Sequence, residues 1–209
     1  YGTSNFYEAL TTANTFNGNL VFDIYGLGAL YTSYQAKSTI TGNYTVNRSG
    51  PGYTYLFGNA ATIGGNFSCV KNANGSTDMG TLVSKTTVGG TVSVNITQSL
   101  GDAFSLHRIQ NSTNGGSITV NGSKSPSIQQ DTLLLNSLSI NGYGGSEYLS
   151  VYNNQLTANV TFSDDASFSG GYTSRLGNCT ITGNTVINSN GTNHFYEAHN
   201  AANTFNGNL

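Results

Sequence analysis

The sequence predicts an all-β chain wound as a parallel β-solenoid, or β-helix, with about eight coils of 20–26 residues in each 189-residue unit. Three observations predict it. First, residues 6–20 read FYEALTTANTFNGNL and residues 195–209 read FYEAHNAANTFNGNL, identical at twelve of fifteen positions. Self-similarity at a fixed period marks a repeat architecture, whose repeats bury their apolar faces against one another. The offset divides the chain into one repeat unit, 1–193, and the start of the next identical unit, 194–209.

Second, the unit carries a finer period. Its motif is apolar-x-Gly-Asn-apolar-x-apolar, as in Phe16 to Phe22. Close copies are ITGNYTV (40–46), IGGNFSC (63–69), VGGTVSV (88–94) and NGGSITV (114–120); weaker ones are LLNSLSI (134–140), LTANVTF (156–162) and ITGNTVI (181–187). The third position falls at Gly18, Gly42, Gly65, Gly90, Gly116, Asn136, Ala158, Gly183 and Gly207, in steps of 24, 23, 25, 26, 20, 22, 25 and 24 residues. Third, Val, Ile, Leu, Phe and Tyr alternate with polar residues at period two, and no window shows a helical period.

Each coil reads as two apolar strand patches. One is the Gly-Asn strand. The other opens on an aromatic residue ten to twelve positions earlier: Phe6, Tyr31, Tyr53 with Tyr55, Phe104, Tyr148, Tyr172 and Phe195, with Met79 at that place in the fourth coil. Clusters such as Asn47 to Gly52, Asn72 to Gly75 and Asn188 to Gly191 read as corners, because Gly and Asn accept positive φ at low cost. In-register stacking then predicts inward columns such as Phe16/Ile40/Ile63/Val88 and Leu20/Tyr44/Phe67/Val92/Ile118. The glycine column (Gly18, Gly42, Gly65, Gly90, Gly116, Gly183, Gly207) marks close backbone approach. Asn19, Asn43, Asn66, Asn159, Asn184 and Asn208 form an expected side-chain ladder, since stacked amides can donate and accept in turn. The alternative is that these asparagines are turn formers facing water.

Composition limits the function classes. Only 8% of residues are charged and the net charge is -2. Seven basic residues, scattered along the chain, give no phosphate-tracking stripe, so no nucleic-acid partner is expected. No apolar run reaches the roughly 20 residues of a membrane span. The chain opens at Tyr1 without a basic, apolar leader and reads as a piece of a longer protein. Cys69 and Cys179 fall five coils apart, about 24 Å at about 4.8 Å per layer. A disulfide needs Cα atoms within about 7 Å, so two free, buried thiols are expected.

The nine acidic residues are Glu8, Asp23, Asp78, Asp102, Asp131, Glu147, Asp164, Asp165 and Glu197, and they form no catalytic constellation in the sequence. Asp164-Asp165 is the only adjacent pair, and it reads as a solvated corner. Glu8 recurs as Glu197 and so belongs to the repeat. His194 and His199 replace Asn5 and Leu10 of the first copy, so a metal site on them would be missing from it. No zinc, EF-hand, P-loop or nucleophile-elbow pattern occurs. The expectation is no catalytic, cofactor-binding or metal-binding residue, and no enzyme activity.

The run ANTFNGNL, with Ser49-Gly50-Pro51-Gly52-Tyr53 and Ser169-Gly170-Gly171-Tyr172, resembles the giant repetitive surface proteins of Bacteroidota. These are gliding-motility adhesins and related filaments exported by the type IX secretion system. The resemblance is one of repeat style over the whole chain, and it implies an extracellular, cell-surface filament, stalk or adhesin. The expected partners are neighbouring units of the same chain, identical chains in a fibre or bundle, and a cell-surface or glycan target. The main alternative is a carbohydrate-binding or carbohydrate-cleaving β-helix of the tailspike or lyase kind, which needs grouped carboxylates. Ice binding through threonine arrays ranks last, because pieces such as Thr180-Ile181-Thr182 do not recur in register in the sequence.

Overall fold

The structure is a computed structural model that describes residues 2–142, 149–164, 174–190, 195–198 and 200–209. Among these residues there is no helix, and every strand pairing is parallel. The chain is a β-solenoid with three strands per coil where two were expected. The first side is a nine-stranded sheet. Its strands are Phe6–Tyr7, Leu30–Tyr31, Thr54–Leu56, Thr77–Met79, Phe104–His107, Ser127–Gln129, Ser150–Tyr152, Ser174–Gly177 and Phe195–Glu197. Second-side strands, such as Thr15–Phe16, Ser38–Ile40 and Ala61–Ile63, and third-side strands, such as Leu20–Ile24, Tyr44–Arg48 and Phe67–Asn72, belong to one 15-stranded sheet. The Gly-Asn motif is therefore a bend between two strands. Later in the chain this bend opens, and Thr132–Gly142 and Gln155–Asp164 each run through it as one strand.

Strand pairing on the first side carries Phe6 step by step up the stack to Phe195, which pairs with Ser174. The apolar positions of all three sides point inward and form one core, from Leu30 and Ile40 through Val94 and Leu138 to Ile181. Burial of this kind contributes about 25 cal/mol per Å² of apolar surface. It is also why the period-two alternation is so clean: one face of each strand is dry and the other wet.

Two expected columns are displaced. Val92 pairs with Phe67, but Ile118 pairs with Val94 and not with Val92. The stack slips by two residues between the fourth and fifth coils, so Gly116 lies against the Val92 carbonyl and is not the counterpart of Gly90. A slip of two preserves side-chain parity, so inward residues stay inward. The aromatic strand starts also divide. Phe6 and Phe104 pair with Leu30 and Thr77 in the inward column, whereas Tyr31 and Tyr55 belong with Tyr7 in the outward one. Tyr148 and Tyr172 lie outside the described residues.

The corner after the first side is built mostly from residues other than glycine. Ala9, Ser33, Phe57, Arg108, Gln130, Asn153, Asn178 and Ala198 have φ between 46° and 63°, and Gly80 has φ 79°. At least one left-handed residue per coil turns the chain from the first side to the second, and Ala60 (φ 66°) and Asn200 (φ 65°) add a second one after Phe57 and Ala198. Such a conformation costs roughly 1–2 kcal/mol for an L-residue. The backbone offsets this by keeping its bonds to the neighbouring coil: Arg108 N–H donates to Gln129 O (3.0 Å) and Gln130 N–H to Tyr152 O (3.0 Å). Because the residue types vary from Ala to Phe to Arg, sequence composition carries no sign of this corner.

Candidate functional site

The glycines and asparagines of the motif work as a pair. Gly42 N–H donates to Gly18 O, Gly65 N–H to Gly42 O and Gly90 N–H to Gly65 O, at 2.9–3.0 Å. A Cβ on Gly42, Gly65 or Gly90 would collide with the Oδ1 of Asn19, Asn43 or Asn66, respectively, and with backbone of the glycine in the preceding coil. Those Oδ1 atoms are held in place by the next coil. Asn43 N–H donates to Asn19 Oδ1 (2.8 Å), Asn66 N–H to Asn43 Oδ1 (2.8 Å) and Thr91 N–H to Asn66 Oδ1 (2.9 Å). The ladder is thus side chain to backbone, where amide-to-amide stacking was expected. It resumes later: Asn184 N–H donates to Asn159 Oδ1 (3.1 Å) and Asn208 N–H to Asn184 Oδ1 (3.4 Å). Ser137 and Ser117 stand in the register column of Asn159, with their hydroxyls 3.0 Å apart. All six asparagines face solvent, so they are turn formers as well as rungs. Gly183 and Gly207 are close-packed in the same way, against the backbone of Ala158 and Gly183.

This packing sets a test. Gly65→Ala is expected to lower stability by about 1–3 kcal/mol, the usual range for forcing a methyl into filled space. Gly2→Ala, where nothing lies within 4 Å, serves as the neutral control. Urea midpoints measure both, and equal midpoints would show that the rung tolerates the methyl.

A second ladder runs inside, at the start of the second side, and sequence reasoning missed it. Ala61 N–H donates to Thr86 Oγ1 (3.1 Å), Ile109 N–H to Asp131 Oδ1 (2.6 Å), Asp131 N–H to Asn154 Oδ1 (2.9 Å) and Cys179 N–H to Asn203 Oδ1 (2.9 Å). Here the side chain reaches back to the preceding coil, opposite to the outer ladder. Asp131 is buried, its Oδ2 has no partner among the described residues, and burial pushes its carboxyl well above the usual range. Asn14 belongs to this column and donates to Glu8 Oε1 (2.7 Å); Asn203 does the same to Glu197 (2.8 Å). Glu8 also accepts from Ser33 N–H and Ser38 Oγ, both at 2.7 Å. Its role is to tie one coil to the next, which suits a residue that recurs with the repeat.

Two cations are buried at the third corner. Arg48 and Lys71 pair in register and are 2% and 0% exposed. Arg48 donates to the carbonyls of Gly50 (2.9 Å), Gly28 (2.6 Å) and Pro51 (2.6 Å). Lys71 Nζ donates to the Gly75 carbonyl, to Ser76 O (3.2 Å) and to Thr77 Oγ1 (3.0 Å). Burial, then the charge of Arg48, lowers the Lys71 ammonium to about 8. These side chains staple the corner loops that follow the third side. Cys69 and Cys179 are free and buried, and burial pushes the Cys69 thiol up to about 12.

The outer faces carry two further arrays. On the first side, Tyr7, Tyr31, Tyr34, Tyr53 and Tyr55 touch ring to ring. Tyr53 donates to Asp78 Oδ2, and Ser105 to Asp78 Oδ1. On the second side, Thr15, Thr39, Thr62, Thr87, Gln110, Thr132, Gln155, Thr180 and Thr204 stand in one outward register column. The threonines do recur in register; uneven coil lengths hide this in the linear sequence.

The described carboxylates are dispersed among these arrays, with Asp23 accepting from Asn47 (2.8 Å). Asp165, Glu147, His194 and His199 lie outside the described residues. His107, its pKa lowered by burial, has Nε2 3.0 Å from Ser127 Oγ. Among the described residues no group of three His, Cys, Asp or Glu is placed to hold a metal ion, and no helix is long and apolar enough to cross a membrane. No family model, curated protein or solved structure matches the chain.

Proposed function

We propose that the chain is a structural segment of a long extracellular β-solenoid, a surface filament, stalk or adhesin in which 189-residue units continue one another. The observation that carries this reading is the seam. Phe195–Glu197 stacks on Ser174–Gly177 in register, and the Asn203–Glu197 bond repeats the Asn14–Glu8 bond of the first copy. Coils alike at twelve of fifteen positions thus stand 189 residues apart in one stack. The role is mechanical, without catalysis: each coil is stabilised only by its neighbours, so length can grow without a larger core. The expected partners are adjacent units and identical chains. A chain carrying two consecutive units tests this by small-angle X-ray scattering. Its maximum dimension should exceed that of one unit by about 38 Å, at about 4.8 Å per coil, with an unchanged cross-section. A thicker particle of unchanged length would refute the filament.

The threonine column supports a second reading, binding to ice. Its outward side chains are uncharged and repeat once per coil on parallel strands, and seven of the nine, all but Gln110 and Gln155, pair a methyl with a hydroxyl, a surface able to order water regularly. Thermal hysteresis that disappears in a Thr62→Tyr/Thr87→Tyr variant would support it; none in the unaltered chain would remove it.

A further inference from the structure

We infer that the tyrosine cluster on the first side is an oxidative cross-linking site, at which a one-electron oxidant of the haem-peroxidase class, with hydrogen peroxide, joins Tyr7 to Tyr31 across adjacent coils. Three observations lead there. The two rings lie in parallel register positions, with centroids 4.7 Å apart and planes inclined by 7°, the tightest stack in the cluster. Tyr31 in turn touches Tyr53 and Tyr55 at 5.8 and 6.0 Å, so a radical formed on any of these rings has contiguous neighbours to move through. At the far side Tyr53 donates its phenolic hydrogen bond to the Asp78 carboxylate, so a radical formed on Tyr53 can leave its proton there and take it back as the radical passes to Tyr31, which then releases its own. Tyr7 is 40% exposed, so the oxidant has access to one end of the stack.

The chemistry balances. Each phenol gives one electron to the oxidant and releases its hydroxyl proton. The two phenoxyl radicals form one carbon–carbon bond between ortho carbons. The two ortho hydrogens then move to the phenolic oxygens as the rings regain aromaticity. One hydrogen peroxide takes up the two electrons and two protons and leaves as two waters. Burial raises the pKa of Tyr31, Tyr53 and Tyr55, so these rings start as neutral phenols and oxidation must move a proton.

Exposure alone would choose a different residue. Tyr25 is 63% exposed and has no ring contact among the described residues. The test uses that contrast. The full chain is treated with a haem peroxidase and hydrogen peroxide. Dityrosine fluorescence is read in the monomer fraction, the intact mass is checked for the loss of two hydrogens, and the linked peptides are mapped. The expected product is a monomer with Tyr7 bonded to Tyr31. It should be lost in Tyr7→Phe and in Tyr31→Phe, which keep the rings and the fold, and persist in Tyr25→Phe. In Asp78→Asn the same product should form more slowly. Linkage only between molecules, or through Tyr25, or a monomer product that survives in Tyr31→Phe, would overturn the assignment. An unchanged rate in Asp78→Asn would overturn the role given to its carboxylate.

Discussion

Phe67→Ala is expected to destabilise the chain by about 3–5 kcal/mol, the range for deleting a buried aromatic side chain. Phe67 is 1% exposed and sits between Tyr44 and Val92 in its column. Its ring contacts Tyr44 at 5.6 Å and Phe57 at 5.0 Å, so truncation removes one of three mutually packed rings. In a solenoid the loss should stay local, because a coil's energy lies in its own packing and its two interfaces. Hydrogen exchange by mass spectrometry should show faster exchange in Tyr44–Arg48, Phe67–Asn72 and the start of Val92–Asp102, with Gln155–Asp164 still protected. Uniform loss of protection along the chain would mean that the coils unfold as one unit and would contradict the additive picture.

Stability should also rise with pH above neutrality, through Lys71. Its ammonium titrates at about 8 when folded, against 10.5 as the unperturbed value. Below about 8 both states hold the proton, and the folded state bears the full cost of a buried charge. That difference corresponds to about 3 kcal/mol at about 1.4 kcal/mol per pH unit. Between the two values the unfolded chain binds more protons, so stability rises with pH. By pH 9 Lys71 alone should return about 1 kcal/mol relative to pH 7. From about pH 8 part of that gain is offset by the buried Cys69 and Cys179 thiols, and at higher pH by the Tyr44 and Tyr53 phenols, which the folded state holds protonated above their ordinary values. Urea unfolding at pH 7, 8 and 9 measures the slope. It should flatten in Lys71→Met, and an identical slope in that variant would assign the effect to another group.

The winding was legible because it leaves a periodic trace. Gly18, Gly42, Gly65 and Gly90 recur at steps of 24, 23 and 25 residues, and the rung they form with Asn19, Asn43 and Asn66 follows from the need for space beside each amide. Reading failed where spacing varies or residue type is free. The slip at Gly116 was hidden because a shift of two keeps every apolar residue on the same face. The threonine column was hidden because its members are spaced unevenly and Gln110 and Gln155 interrupt it. The left-handed corner was hidden because backbone bonding there overrides side-chain preference, so Phe57 and Arg108 serve as well as Asn153. Of the tyrosine cluster, Tyr31, Tyr53 and Tyr55 stood out as strand starts, whereas Tyr7 and Tyr34 did not, and Tyr7 and Tyr31 become partners only once Phe6 is known to lie inward.

The opposed reach of the outer and inner ladders gives the stack a direction. An outer asparagine oxygen looks toward the following coil, and an inner Asp or Asn oxygen looks back toward the preceding one, so the two faces of a coil are chemically unlike. Two such stacks brought face to like face would set acceptor against acceptor and would run their strands antiparallel. A fibre made this way is a one-way object, with a leading end and a trailing end that cannot substitute for each other.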